Sequence, residues 1–317
     1  MTTQLHIGLV GLGKMGGNMR ARLREHGITV TGYAPDPSTT DVETIEDLVA
    51  AVPAPRMVWV MVPSGDPTRQ TVTRLGELLE PGDLVIEGGN SRWREDVDHA
   101  ELLASRDIGY MDCGVSGGIW GITEGYGLMV GGAAEHVERA MPIFDALRPD
   151  GPREEGFSHA GDVGAGHYAK MVHNGIEYAV MQAYAEGYEL LATTGVVKDV
   201  TAVFTGWQRG TVVRSWLLEL LVNALHEDPS LDRVRGYAQD SGEGRWTVME
   251  AIEHAVPVPA ISAALFARFA SRQPDSPTMK AIAALRQQFG GHAIRAVDGG
   301  VNLPDPPGPT PPSAHAD

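Results

Sequence analysis

Residues 5–13, LHIGLVGLG, carry a short apolar run straight into spaced glycines, and residues 18–27, NMRARLREHG, follow with helical spacing and a closing glycine. A strand that turns at once into a helix opens a strand–helix–strand unit, which commits the chain to a parallel sheet with helices on both faces. The pattern recurs: ITVTGYAP (28–35), RMVWVMVP (56–63), DLVIEGG (83–89) and IGYMDCGV (108–115) read as further strands, each ending at turn residues. Past about residue 164 the β-like runs vanish. Helical segments follow over 166–193, about 199–209, 212–226, 247–254, 260–271 and 278–289. The expected fold class is therefore α/β, a doubly wound parallel sheet over residues 1–163, followed by an all-helical domain over 164–295. The Pro-rich stretch 296–317 cannot form a packed core and is expected to be a disordered tail.

Composition narrows the function. The 317 residues are 43% hydrophobic, enough core for about two domains, and the formal net charge of -16 repels nucleic acid and anionic membranes. An anionic ligand would need the few basic residues gathered locally against that field. One cysteine, Cys113, rules out an intramolecular disulfide and fits a cytoplasmic home. The greasiest helical run, SWLLELLVNAL (215–225), is broken by Glu219 and Asn223 and falls short of the ~20 apolar residues of a membrane span. The N-terminal MTTQLHIGLVGLG has no basic lead-in, so no signal peptide is expected. A small-molecule ligand, and neither nucleic acid nor membrane, is the expected partner.

Gly11, Gly13 and Gly16, with Leu12, Lys14 and Met15 between them, form G-x-G-x-x-G between a strand and a helix. Gly11 suits the tight turn, Gly13 a close approach to a pyrophosphate, and Gly16 close helix–strand packing, with the helix N-terminus receiving the anion. The end of the second strand reads the adenosine ribose in such a site. Ala34, Pro35 and Asp36 stand there, with no basic residue for a 2′-phosphate, so the expected cofactor is NAD, with NADP possible. Asp36 equally fits a cap on the next turn. At later strand ends, Asn90 in EGGNS and Ser116, Gly117 and Gly118 in DCGVSGG can bind ligand or simply shape turns that need positive φ. Both loops point into one crevice.

The helix GAGHYAKMVHNGIEYAVMQAYAEG (164–187) places Lys170, His173, Asn174 and Glu177 on one stripe by the i, i+3, i+4, i+7 rule, with Tyr178 at its edge. A polar stripe usually faces solvent. Here the flanks, Ala169, Met171, Val172, Ile176, Ala179 and Val180, are apolar, which implies a helix enclosed by protein with its polar stripe on a cleft. With no HExxH and no compact carboxylate–histidine cluster expected, no metal is predicted. Lys170 and Glu177, about two turns apart on either side of a small substrate, suit two proton transfers at different carbons.

GLVGLGKMGGNM, GGNS, CGVSGG and the 164–187 helix together resemble the decarboxylating 6-phosphogluconate dehydrogenases of the pentose phosphate pathway, in the short form with one copy of the helical unit. The likeness covers residues 4 to about 293 and implies a Rossmann-type first domain and a helical domain for substrate and dimerisation. It implies Lys170 as general base and Glu177 as general acid, without a metal. Asn90, Ser116, Gly117, Gly118, His173 and Asn174 would hold the sugar acid, and Tyr178 its phosphate. ALFARFASR matches a phosphate-binding segment, giving Arg268. RQQFGGH matches one that reaches a neighbouring subunit's site, giving Arg286 and His292 and implying a dimer or larger homo-oligomer. Val62, Pro63 and Ser64 match a loop along the cofactor. Two positions depart from the long form: Ser241 replaces a phosphate-binding lysine, with Arg245 a candidate substitute, and Pro35 replaces the arginine that reads NADP. The rival reading is another β-hydroxyacid dehydrogenase, acting on an unphosphorylated acid, which would need Lys170 and Asn174 but not Glu177, Arg268, Arg286 or His292.

Overall fold

The computed structural model of the chain describes residues 5–290, 294–295 and 302–303; His292 and nearly all of the tail lie outside them. In chain order the elements are β1 (His6–Val10), α1 (Lys14–Glu25), β2 (Thr29–Tyr33), α2 (Ile45–Ala51), β3 (Met57–Val60), α3 (Asp66–Leu78), β4 (Leu84–Glu87), α4 (Trp93–Ala104), β5 (Gly109–Ser116), α5 (Gly121–Glu124), β6 (Gly127–Gly131), α6 (Ala134–Leu147) and β7 (Phe157–Gly161). Helices follow: α7 (Ala165–Thr194), α8 (Val200–Trp207), α9 (Trp216–Glu227), α10 (Glu243–Glu253), α11 (Pro259–Ser271) and α12 (Pro277–Gly290). The two-residue strands β8 (Ile294–Arg295) and β9 (Asn302–Leu303) pair with each other.

The sheet has seven strands in the order β2-β1-β3-β4-β5-β6-β7. All neighbours run parallel except β5 and β6. The central strands MVWV and LVIE are buried throughout, as continuous apolar runs must be when helices cover both faces. Successive side chains alternate between two cores. Trp59 and Ile86 join Ile7, Leu9, Met19, Leu23 and Phe144 under α1 and α6, whereas Val58, Val60 and Val85 join Leu48, Val72, Leu75 and Leu103 under α2, α3 and α4.

Two strands, β6 and β7, stand where the sequence pattern gave none. GLMVG is bracketed by glycines and FSHAG is largely exposed and polar, so neither carries the β-branched signal that marks the inner strands. Helix ends shift for local reasons. α9 starts at Trp216, not 212, because Ser215 caps it by accepting from the Leu218 N–H at 3.1 Å. α10 starts one turn earlier than expected, at Glu243, after Gly242 with φ 94°. No helix among the described residues is long and apolar enough to cross a membrane.

Contacts divide the chain into two units. The larger runs through Val196 and takes back Ser241–Ser262, so α7 and α10 belong with the sheet; the smaller holds Val197–Asp240 and the described residues from Ala263 on. The sequence pattern changes at 163/164, where the strands end, because periodicity marks element type rather than packing. In the smaller unit Leu218, Val222 and Leu225 of α9 bury with Phe204 of α8, whose ring lies 5.0 Å from Trp207.

Candidate active site

The glycine turn is shaped by what a side chain would strike. At Gly11, with φ +98°, a Cβ would lie 2.3 Å from the Met61 carbonyl oxygen, and at Gly16 it would lie 1.9 Å from the Gly11 carbonyl oxygen. Neither position admits alanine without moving backbone. At Gly13 no described residue places an atom within 4 Å of an added Cβ, so open space stands in front of the α1 N-terminus among the described residues. That terminus has no side-chain cap and no acid in its first turn, which leaves its N–H groups and dipole for an anion. A cavity of about 980 Å³ opens there, lined by Gly11, Leu12, Gly13, Lys14, Met15, Gly16, Ala34, Pro35, Asp36, Val62, Pro63 and Asn90. Its volume and donor set fit a dinucleotide. Ser64 is exposed and is not among the lining residues.

At the ribose end Asp36 performs the turn-capping role. Its Oδ1 accepts from the Ser38 hydroxyl at 2.7 Å and the Ser38 N–H at 2.9 Å, and these bonds hold its carboxyl below the usual range. A cation that the sequence reading missed, Arg74 of α3, also lines this cavity. Its guanidinium is engaged by Glu46 and, at 2.6 Å, by Glu77.

Lys170 sits on the second turn of α7, 8% exposed, with its stem against β5. The approach needs Gly114, where a Cβ would lie 2.4 Å from Lys170 Cβ. The Lys170 ammonium donates to Asn90 Oδ1 and stands 3.6 Å from Glu243 Oε1. Burial pulls the Lys170 pKa below its ordinary value, while Glu243 pulls the other way. Further along the stripe, His173 Nε2 lies 3.4 Å from Ser116 Oγ, and its Nδ1 is 3.0 Å from Asn174 Oδ1. Glu177 is half-buried two turns on. Gly117 and Gly118 adopt φ +123° and +53°, so this loop does need its glycines for the turn. Buried Tyr178 turns its hydroxyl to Ser241, accepting from that N–H at 3.0 Å. Arg245 is exposed on the first turn of α10. One expectation is only partly met: Met171 is buried, but Ile176 is 55% exposed, so the described residues do not enclose every flank of α7.

Three things escaped the sequence reading. The first is Glu243 itself, 1% exposed on α10, which packs along α7 through a hydrogen bond from the Thr247 hydroxyl to the Met171 carbonyl. Its signal was available: Glu243, Thr247 and Glu250 form a polar stripe at i, i+4, i+7, and all three are buried. The second is Arg74, described above. The third corrects the expectation of no carboxylate–histidine cluster. Glu87, Asp96, Asp112 and His167 converge, all buried, although they come from four elements. His167 Nδ1 lies 2.8 Å from Asp96 Oδ2, 3.8 Å from Glu87 and 4.0 Å from Asp112. Burial alone would lower the His167 pKa, but the surrounding carboxylates, Asp96 above all, raise it to about 10. Burial raises the pKa of Glu87 and of Asp112. Ligand atoms of Glu87, Asp96 and His167 lie within 4.8 Å of one another, a spacing that could hold a cation, and a protonated His167 would itself supply positive charge there. The cluster also braces the site. Glu87 accepts from the Gly89 N–H at 2.7 Å, beside Asn90, and Asp112 accepts from Gly164 and His167 N–H groups at 2.6 and 2.7 Å, capping the helix that carries Lys170.

Arg268 and Arg286, the expected residues still to be placed among those described, lie in the smaller unit. Arg268 donates to the Gln239 carbonyl at 2.9 Å, and Arg286 lines a separate cavity of about 350 Å³ with Lys280 and Arg295.

Family comparisons agree with this geometry. Residues 6–149 match the NAD binding domain of 6-phosphogluconate dehydrogenase, and residues 166–298 match the C-terminal domain of the same enzyme. A Haloferax volcanii protein named 6-phosphogluconate dehydrogenase, NAD(+)-dependent, decarboxylating, is 40% identical over 304 residues, covering 93% of this chain and all of the relative. The chain belongs to the 6-phosphogluconate dehydrogenase family. A longer Bacillus subtilis family member, also named NAD(+)-dependent and decarboxylating, is 33% identical over 84% of this chain, which spans only 61% of that relative. The Plasmodium falciparum 6-phosphogluconate dehydrogenase, solved with NADP+ and with 6-phosphogluconate, superposes with a TM-score of 0.78 at 26% identity, covering 90% of this chain and 65% of that one. The shared sheet, glycine turn and long site helix make this family member a dehydrogenase that uses a nicotinamide cofactor.

Proposed function

We propose that this chain converts 6-phosphogluconate to ribulose 5-phosphate and CO2, with NAD+ preferred as hydride acceptor. The observation that carries the reading is Asn90, which lines the cofactor cavity and also accepts the hydrogen bond of buried Lys170. A base candidate thus stands at the edge of the cofactor site, next to the place a substrate carbon must occupy. A nicotinamide held in the cavity lined by Gly11, Gly13 and Asn90 would supply the acceptor for the hydride that leaves substrate C3. Lys170, as the free amine that burial favours, takes the proton of the C3 hydroxyl. In the β-keto acid that results, the electron pair of the breaking bond to CO2 flows into the new carbonyl, and the Lys170 ammonium donates to that oxygen. The keto group is the electron sink, so the scheme calls on no metal. Glu177 then delivers a proton to the carbon that lost CO2.

Ser116, Gly117, Gly118, His173 and Asn174 hold the sugar acid in this scheme. Tyr178, Arg268, Arg286 and His292 serve the phosphate, the last two from a neighbouring subunit. Ile176, Met181 and Leu190, 55%, 40% and 66% exposed along α7, support a homo-oligomer that covers them. The NAD preference rests on Pro35 and Asp36, on the two carboxylates engaging Arg74, and on the NAD(+)-dependent names of the relatives. The acidic charge and lone cysteine support a cytoplasmic setting.

The test mixes purified protein with 6-phosphogluconate and either NAD+ or NADP+, following reduced-cofactor absorbance and CO2 together. Equal amounts of both products, formed faster with NAD+, are expected. The Lys170→Ala variant loses about 10²–10⁴-fold in turnover, and near-normal turnover in it would sink the assignment. Comparable turnover of an unphosphorylated hydroxy acid would favour the rival substrate class.

A further inference from the structure

Glu243 has a fully buried carboxylate that the scheme above leaves unused. It lies at the first turn of α10, 3.6 Å from the Lys170 ammonium through Oε1, while Oε2 is buried with no hydrogen-bond partner among the described residues. Gly242 and Gly244 flank it. A Cβ at Gly244 would press on the Tyr178 ring at 2.7 Å, so close backbone packing fixes the start of this helix against α7. Most buried carboxylate oxygens find hydrogen-bond partners. This one presents an oxygen without a hydrogen-bond partner among the described residues beside the Lys170 amine.

We propose that Glu243 is a positioning residue for the reaction: its carboxylate holds Lys170 against Asn90 and stabilises the ammonium that forms when Lys170 takes the substrate proton. The proton leaves the C3 hydroxyl while the C3 hydride passes to the oxidised nicotinamide, the O–H bonding pair becomes the second bond of the carbonyl, and the amine becomes an ammonium paired with the Glu243 carboxylate. The nicotinamide of the proposed reaction is the oxidant, and no other reactant is needed. The proposal rests on the reading of Lys170 as the base. Other groups around the amine do less. Glu87 at the end of β4 acts from farther off, its charge weakened by burial, and the Cys113 thiol of β5 is kept protonated by burial. His167 and His173 on α7 act on Glu243 as cations when protonated.

The sign of the effect is fixed. Glu243 favours the charged amine, so removing its charge makes Lys170 lose its proton more readily. The test compares Glu243→Gln and Glu243→Asp with the unaltered protein in two ways. One is the pH profile of kcat/KM. The other is the pH dependence of Lys170 modification by an amine-reactive reagent, read by mass spectrometry, which needs no turnover. With Glu243→Gln, the acid limb and the modification midpoint both move to lower pH, by about one unit or more, as expected for loss of an opposite charge within ~4–6 Å. Maximal kcat falls about tenfold, as expected for a weaker base, and Glu243→Asp restores much of the midpoint. A purely structural Glu243 would leave both midpoints in place, and an unmoved or raised midpoint in Glu243→Gln overturns the proposal. If the unaltered protein turns over no 6-phosphogluconate, the functional reading fails while the modification midpoint still decides the pairing.

Discussion

Gly114→Ala isolates the step from packing to chemistry. The added methyl carbon would lie 2.4 Å from Lys170 Cβ and 2.8 Å from the Gly166 carbonyl oxygen. Ordinary contacts between such atoms need ~3.5–4 Å, so β5 and α7 must part by roughly 1 Å. Neither neighbour is the free end of a flexible side chain. One is the root of Lys170 and the other is helix backbone held by the Asp112 cap. Overpacking of this kind costs about 1–3 kcal/mol, and a displacement of ~1 Å in a reacting group costs on the order of 10²-fold in rate. Thermal unfolding should therefore drop by a few degrees, taking roughly 2–4 °C per kcal/mol for a chain of this size class. The dehydrogenase assay should fall by about two orders of magnitude with cofactor affinity kept, since the cavity's glycine turn is untouched. Gly187→Ala is the matched control, because it adds a methyl to the same helix where nothing lies within 4 Å. It should stabilise by about 0.5–1 kcal/mol through helix propensity. A Gly114→Ala variant with unaltered melting and full activity would show that Lys170 is not held by this contact.

Other outcomes follow from the buried and paired charges. His167 has its pKa raised to about 10, above the ~6.5 of an unfolded histidine. The stability it contributes is thus fully present below pH ~6.5 and lost as pH rises through about 10, and thermal melting should decline over that window. His167→Gln, which strands buried carboxylates, should cost about 3–5 kcal/mol at neutral pH and flatten that decline; an unchanged slope in the variant would locate the pH dependence elsewhere. Glu46→Gln releases one of the carboxylates on Arg74, so turnover with NADP+ should rise several-fold relative to NAD+; an unchanged ratio would remove Arg74 from the ribose end of the site.

The sequence made the inner sheet legible because β3 and β4 are buried on both faces, and burial leaves uninterrupted apolar runs. It made the cofactor turn legible because steric necessity at Gly11 and Gly16 leaves only one residue type possible. The Lys170 stripe was legible because helical periodicity is local. By contrast β6 and β7 are short, glycine-rich or polar, and owe their strand state to neighbours rather than propensity.

What the sequence by itself determined was therefore what is encoded within a few residues: the strand–turn–helix opening, the inner strands β1–β5, and the polar face of α7. Only the tertiary structure decided which distant charges meet. Glu243 stands beside Lys170, 73 positions earlier in the chain, and His167 meets Asp96 across a separation of 71 residues. The reason is physical. Local geometry fixes spacing along an element, whereas the distance between elements is set by side-chain volume at their contacts, as Gly114, Gly166 and Gly244 set it here.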